Sequence, residues 1–317
     1  MCANGIFSYE KTVIKEGCGK YKPNEFSECC ILLDLQQPEQ QASTNALSSI
    51  GYQLDEQITI IVGHGTAHVA CVIDLCVLTM FEGEKCRLQT ECPIAPSADA
   101  TVELITLDVT LLSFVAASEL HIISYKDILM RAVTLKELGM SAFVAGNTSV
   151  AFHKFSRSLK YLICASVDNG KSVLSCTDDD VSSNGLSASD SSHPFLSANG
   201  DVLDHSTSSW TCEDVARLTC HCWLNLAACQ LRYQNYKVAA VNCTKALGID
   251  PNNVKGLFRR AQCNMKTGNE HIAVVDLEKA LALEPGNREI ARLLSMAKQS
   301  SRKSDDRLAA AMSKMFR

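Results

Sequence analysis

The chain has no Cys-x-x-Cys pair, although it carries 16 cysteines in 317 residues. That absence removes the usual zinc-ribbon and zinc-finger spacings. The tightest group of candidate ligands is Cys212, Cys220, His221 and Cys222. The last three are consecutive in a segment whose apolar spacing predicts a helix, so their side chains point in different directions. They are expected to be small packing residues, and no metal or cofactor is expected. Also missing are an apolar run long enough to cross a bilayer, a leader-like N-terminus, and a basic stripe anywhere before about the last thirty residues. With a formal net charge of -5, the chain is expected to be a reduced, cytoplasmic or also nuclear protein that works on neither nucleic acid nor membrane.

What is present is a repeat. Ala227, Ala239, Ala246 and Pro251 recur 34 residues later as Ala261, Ala273, Ala280 and Pro285. A period of that length, built on small residues and closed by Asp-Pro or Glu-Pro, is the tetratricopeptide signature. The alanines belong where two antiparallel helices approach closely, and the proline stops the second helix before the next unit. A third copy lies upstream, because Gly139 and Ala151 are 12 residues apart, as are Ala227 and Ala239. Between copies, residues 168–209 are rich in serine, include Asp178, Asp179 and Asp180, and lack periodicity, which reads as a disordered insertion on the rim of the solenoid.

The first part of the chain has a different rhythm. Residues 26–35, 57–62, 84–90 and 102–114 read as strands, and 67–81 carries Val69, Val72, Ile73, Cys76, Val77 and Met80 on one helical face. The fold class is therefore α+β, an antiparallel sheet around one short helix, followed by an all-α solenoid. Gly63, His64, Gly65 and Thr66 lack the Lys-Ser/Thr ending of a phosphate loop and read as a turn into the helix.

The order Gly5-Ile6, Ile14-Lys15-Glu16-Gly17, Val72-Ile73, residues 81–85 (Phe-Glu-Gly-Glu-Lys) and a final strand ending at Phe114 resembles the FK506-binding immunophilins with C-terminal tetratricopeptide repeats. It is most similar to the FK506-binding protein-like branch, whose isomerase domain is degenerate. The resemblance implies a cup that holds a prolyl ring while its peptide bond twists. Residues 34–56 lack the family's phenylalanine, residues 88–102 lack its tyrosine, and Cys76 and Leu107 stand where the family has tryptophan and phenylalanine. Val72 and Ile73 remain. Little or no peptidyl-prolyl isomerase activity is expected from that set, because each missing large apolar side chain forfeits about 1.5–3 kcal/mol.

The resemblance also implies a carboxylate clamp in the repeat groove. Lys136, Asn225, Lys255 and Arg259 match the residues with which tetratricopeptide cochaperones grip an extended Glu-Glu-Val-Asp C-terminus, and Met140 replaces the expected second asparagine. Close carboxylates need several fixed, charged donors to offset repulsion and desolvation. The expected partner is the C-terminal peptide of a heat-shock chaperone, of the ninety-kilodalton class. Calmodulin, a partner of related immunophilins, is a second candidate at the C-terminal helix, where Arg302, Lys303, Arg307, Lys314 and Arg317 accompany Leu308, Met312, Met315 and Phe316.

The expected layout is an FK506-binding-type domain at 1–117, a linker and first repeat at 118–167, the insertion at 168–209, two further repeats at 210–286, and a capping helix with tail at 287–317. The function expected is a non-catalytic adaptor. Two alternatives stay open: an active or weakly active peptidyl-prolyl isomerase, and a scaffold for an internal peptide of another partner.

Overall fold

The computed structural model describes residues 7–35, 52, 56–93, 102–119, 122–168 and 210–315. The insertion expected at 168–209 lies outside the described residues except for its first residue, as do Gly5-Ile6 and most of 36–55. Strands β1 (Tyr9–Lys15), β2 (Glu28–Leu35) and β3 (Gln57–Ile61) precede helix α1 (His68–Val77), and β4 (Lys85–Pro93) and β5 (Val102–Val115) follow it. They form one antiparallel sheet in the order β1-β4-β5-β2-β3.

Alternation builds its core. Cys29, Ile31 and Leu33 of β2 face inward together with Leu88 of β4 and Ile105, Leu107, Val109 and Leu111 of β5. Helix α1 lays Val69, Val72, Ile73, Cys76 and Val77 against that face, each burial contributing about 1.5–3 kcal/mol. The predicted strands and helix are all present, with shifted ends. Strand β2 begins at Glu28 rather than at 26, because Phe26 adopts a left-handed backbone with φ 69° and belongs to the turn before the strand. Helix α1 stops at Val77, short of 81, where Leu78–Met80 close it by i→i+3 and i→i+4 bonds.

Among the described residues seven helices follow: α2 (Tyr125–Val144), α3 (Thr148–Asp168), α4 (Cys212–Arg232), α5 (Tyr236–Ile249), α6 (Val254–Lys266), α7 (Glu270–Leu283) and α8 (Arg288–Met315). Ser124 caps α2 by accepting from the Asp127 N–H, and Thr211 and Asp214 form a reciprocal capping box on α4. Pairs α2/α3, α4/α5 and α6/α7 pack in sequence, and the first helices of the pairs, α2, α4 and α6, lie side by side. The repeat alanines do what their size implies: Ala151, Ala227, Ala239, Ala246, Ala261, Ala273 and Ala280 are fully buried between helices. In the first pair Ser158 takes the place of Ala246 and Ala280, and its hydroxyl donates to the Ala132 carbonyl at 2.6 Å.

Gly139 marks the tightest approach. A Cβ there would lie 2.7 Å from Cε1 of the buried Phe155 on α3. Gly139→Ala gains about 1 kcal/mol of helix propensity but meets an overpacking cost of about 1–3 kcal/mol. Net destabilisation of about 1 kcal/mol is expected as a lower denaturation midpoint in urea; an unchanged or raised midpoint would show that Phe155 yields without strain.

The first half of α8 covers the last pair with Ile290, Leu294 and Ala297. Its second half continues as the same helix, exposing Leu308, Met312 and Met315. No described helix is long and apolar enough to cross a membrane.

The sheet and the first helix pair share one hydrophobic core. Lys154 of α3 donates from Nζ to the Gly63 carbonyl, and Asn147 Nδ2 donates to the Thr66 carbonyl at 3.3 Å. The 63–66 turn is thus a docking point for the repeats as well as an entry to α1. Arg157 and Tyr161 of α3 donate to the Glu25 carboxylate, from Nε at 3.0 Å and from the hydroxyl at 2.7 Å. Phe26 lies edge-on to His64 and Tyr161 under the Arg131 guanidinium, while Phe7 meets His68 and His153. Burial pushes all three imidazoles down, His153 to about 4 with help from the Lys154 and Arg157 charges. Neutral rings suit an aromatic seam.

Candidate functional site

The two sets of residues singled out in the sequence end in different surroundings. Val72, Ile73, Cys76 and Leu107 are all fully buried in the core between α1 and the sheet. Cys76 Sγ sits 3.4 Å from Cys86 Sγ, as packed thiols. The four side chains fill their space and present no face to solvent. A cleft of about 710 Å³ lies elsewhere, at the edge strand β3, lined by Ile60, Ile61, His64, Thr66, Ala67 and Asn147 among others. Among the described residues no group of histidine, cysteine and acidic side chains is arranged to hold a metal.

Lys136, Met140, Asn225, Lys255 and Arg259 fall on the three parallel first helices. Periodicity sets their positions: Asn225 stands two residues before the buried Ala227, and Arg259 two before the buried Ala261. Once the small residue is fixed against its partner helix, these neighbours turn to the opposite side. Asn225 Nδ2 lies 3.5 Å from Met140 Sδ, bridging α4 and α2. A thioether is a weak acceptor, so the amide is held loosely. Arg259 Nη1 donates to the Leu224 carbonyl at 2.8 Å, tying α6 to α4. Burial pulls the Arg259 guanidinium below its ordinary value, opposed by Cys243, Cys229 and Cys263, and it remains a cation at any ordinary pH.

One turn earlier along the same helices lies a second row, Lys136 on α2, His221 on α4 and Lys255 on α6. Burial lowers the His221 imidazole, and the Lys136 and Lys255 charges lower it further. The site therefore has two rungs: Met140, Asn225 and Arg259 on one, Lys136, His221 and Lys255 on the other. Among the described residues Lys136, Lys255 and Arg259 make no ion pair with a carboxylate, and the acidic influence on His221 is Asp250. An arrangement of that kind offers multiple N–H donors to an anion with at least two negative groups.

His221 was weighed in the sequence only as a metal-ligand candidate. The signal that marks it is the repeat frame: it stands six residues before Ala227, as Lys255 stands six before Ala261.

No protein-family model matches the chain. A stretch of 46 residues is 54% identical to the peptidyl-prolyl cis-trans isomerase FKBP4 of Bos taurus and 52% identical to that of Homo sapiens; each match covers 14% of this chain and 10% of the relative. Among solved structures, residues 1–211 of CG17282 align at 19% identity over 72% of this chain and 92% of that one, with a TM-score of 0.48. The C-terminal repeat-containing domain of a putative FK506-binding protein of Plasmodium falciparum aligns at 21% identity over 59% and 99%, with a TM-score of 0.43. The first repeat domain of Spaghetti (RPAP3), solved bound to the HSP90 peptide SRMEEVD, aligns at 18% identity over 57% and 98%, with a TM-score of 0.36. Over that 46-residue stretch the chain is similar to the FK506-binding peptidyl-prolyl isomerases, and its described sheet, short helix and helix pairs have the layout that the resemblance implies.

Proposed function

We propose that the helical groove binds the acidic C-terminal peptide of a heat-shock chaperone of the ninety-kilodalton class, and that the chain acts as a cochaperone-like adaptor. One observation supports this reading: Lys136, Asn225, Lys255 and Arg259 lie on three adjacent helices, and among the described residues the three cations make no ion pair with a carboxylate. The α-carboxylate and aspartate side chain of an extended Glu-Glu-Val-Asp tail supply the missing charge. Lys136 and Asn225 hold the terminal carboxylates, and Lys255 and Arg259 hold the aspartate and the peptide backbone.

The sheet domain serves as a scaffold and not as an isomerase. Supporting this is the closure around Val72, Ile73, Cys76 and Leu107, which leaves those four no surface on which a prolyl ring can rest. Turnover of a prolyl peptide by the full chain would contradict the scaffold role. The calmodulin expectation attaches to the exposed end of α8 and rests on the exposure of Leu308, Met312 and Met315.

Lys255→Ala tests the groove. Lys255 is exposed, so solvent screens its contribution, and a loss of about fivefold to tenfold in affinity for a Glu-Glu-Val-Asp peptide is expected. Raising the salt should weaken the wild type and narrow the difference. Equal affinities in a calorimetric titration would mean that the tail does not reach this lysine.

A further inference from the structure

We propose that His221, the middle member of the groove's outer rung, is a proton-gated donor to the carboxylates of the bound acidic tail, so that peptide binding draws a proton from solvent. The inference rests on the groove reading above and adds to it a residue and a pH dependence.

Its position is the first argument. Helix α4 carries Arg217, His221 and Asn225 four residues apart, on one stripe. Asn225 is fixed beside Met140 of α2, and the residue before it, Leu224, receives the Arg259 guanidinium of α6. One turn back, His221 is flanked on the two sides by Lys136, one turn before Met140, and Lys255, one turn before Arg259. In the third repeat the equivalent position is held by Lys255 itself, a permanent cation. The second repeat thus has, at the same place, a group whose charge depends on pH.

The second argument is the local field. The charged groups that face the ring are Lys136 from α2, Lys255 from α6, Arg217 from its own helix and Asp250 from the turn between α5 and α6. Three of the four are cations. In an empty groove burial first, and these cations after it, favour the neutral imidazole. A peptide tail bearing two carboxylates offsets that field. The ring then takes up a proton and both its nitrogens become donors.

No ligand group competes for the effect. With the N-terminus of the peptide acetylated, only its carboxyl groups titrate, near pH ~4, outside the window where histidine does. The buried histidines 64, 68 and 153 lie at the junction of the sheet with the first helix pair, away from the groove. Their influence is separated by substitution at 221 alone.

The test is isothermal titration of the full chain with an N-acetylated, free-acid Met-Glu-Glu-Val-Asp peptide at pH about 6 and about 7.5, in two buffers of different ionisation enthalpy, with the C-terminally amidated form alongside. Wild type should bind about threefold to tenfold more tightly at the lower pH, with a buffer-dependent heat that reports proton uptake. His221→Gln should still bind but lose both the pH dependence and the buffer dependence. His221→Lys should bind with an affinity independent of pH and restore the low-pH strength. Free-acid-dependent binding with the same pH slope in wild type and His221→Gln, or with no slope in the wild type, overturns the proposal and leaves the clamp standing. Amidated peptide binding as tightly as free acid overturns both. Loss of all binding by both variants, with wild type intact, assigns His221 a structural role and also overturns the proposal.

Discussion

Met140→Asn tightens binding of the acidic tail by about tenfold to a hundredfold, the value of one added hydrogen bond to a charged group of about 1.5–3 kcal/mol. The site is prepared for the gain. Met140 is 46% exposed, so the exchange removes little packing and opens no cavity. Its sulfur now receives the Asn225 amide at 3.5 Å, a contact that spends a good donor on a poor acceptor. An asparagine at 140 supplies a second amide at the level of the terminal carboxylate and leaves the donors of Asn225 to be shared with the ligand. Calorimetric titration of wild type and variant with the same free-acid peptide measures it. Unchanged affinity would mean that the tail's carboxylate is not held between α2 and α4.

Glu25→Ala has the largest expected effect on stability. The Glu25 carboxylate is only 12% exposed and receives Arg157 through two nitrogens and Tyr161 through its hydroxyl. Removing it leaves a partly buried guanidinium, 34% exposed, and a phenol without their acceptor. Breaking a buried pair costs about 3–5 kcal/mol, and partial solvent access to Arg157 brings the figure to about 2–3 kcal/mol. Because the sheet and first helix pair share a core, the wild type should unfold as one cooperative unit. Both tryptophans, Trp210 and Trp223, lie in the helical part, whereas amide exchange in β2 and β5 reports the sheet. In Glu25→Ala the two signals should separate and the earlier midpoint should fall. Coincident transitions at the wild-type midpoint would show that the junction is held by the aromatic seam alone.

The repeats were legible because their packing is periodic. A small residue is required wherever helices nearly touch, so Ala227, Ala239, Ala261 and Ala273 announced the geometry, and Gly139 allowed the frame to be carried across a long insertion. The frame then placed groove residues without any knowledge of contacts. It did not reveal that Arg259 would be partly committed to the Leu224 carbonyl, because that bond joins different repeats and depends on helix crossing. The strands of the sheet were legible from alternation, and their ends were not: Phe26 resembles a strand residue in type, yet its backbone turns to place the ring against His64, Tyr161 and Arg131. The docking of α3 on the 63–66 turn had no local signature. Lys154 reads as an ordinary helical lysine and is 2% exposed in the fold, since its partner is the Gly63 carbonyl in the turn before α1. His221 is visible in the frame, yet in the sequence it was weighed only as a metal ligand, because cysteines flank it, and set aside.

The central claim is that the rungs of Lys136, His221 and Lys255 and of Met140, Asn225 and Arg259 recognise a terminal carboxylate beside an aspartate. Its most direct test is calorimetric titration of the full chain with two peptides of identical sequence ending in Glu-Glu-Val-Asp, one a free acid and the other amidated. The account predicts binding of the free acid and at least about tenfold weaker binding of the amide, since one charge-assisted anchor is lost. Equal affinity for both, or no binding of either, would contradict it.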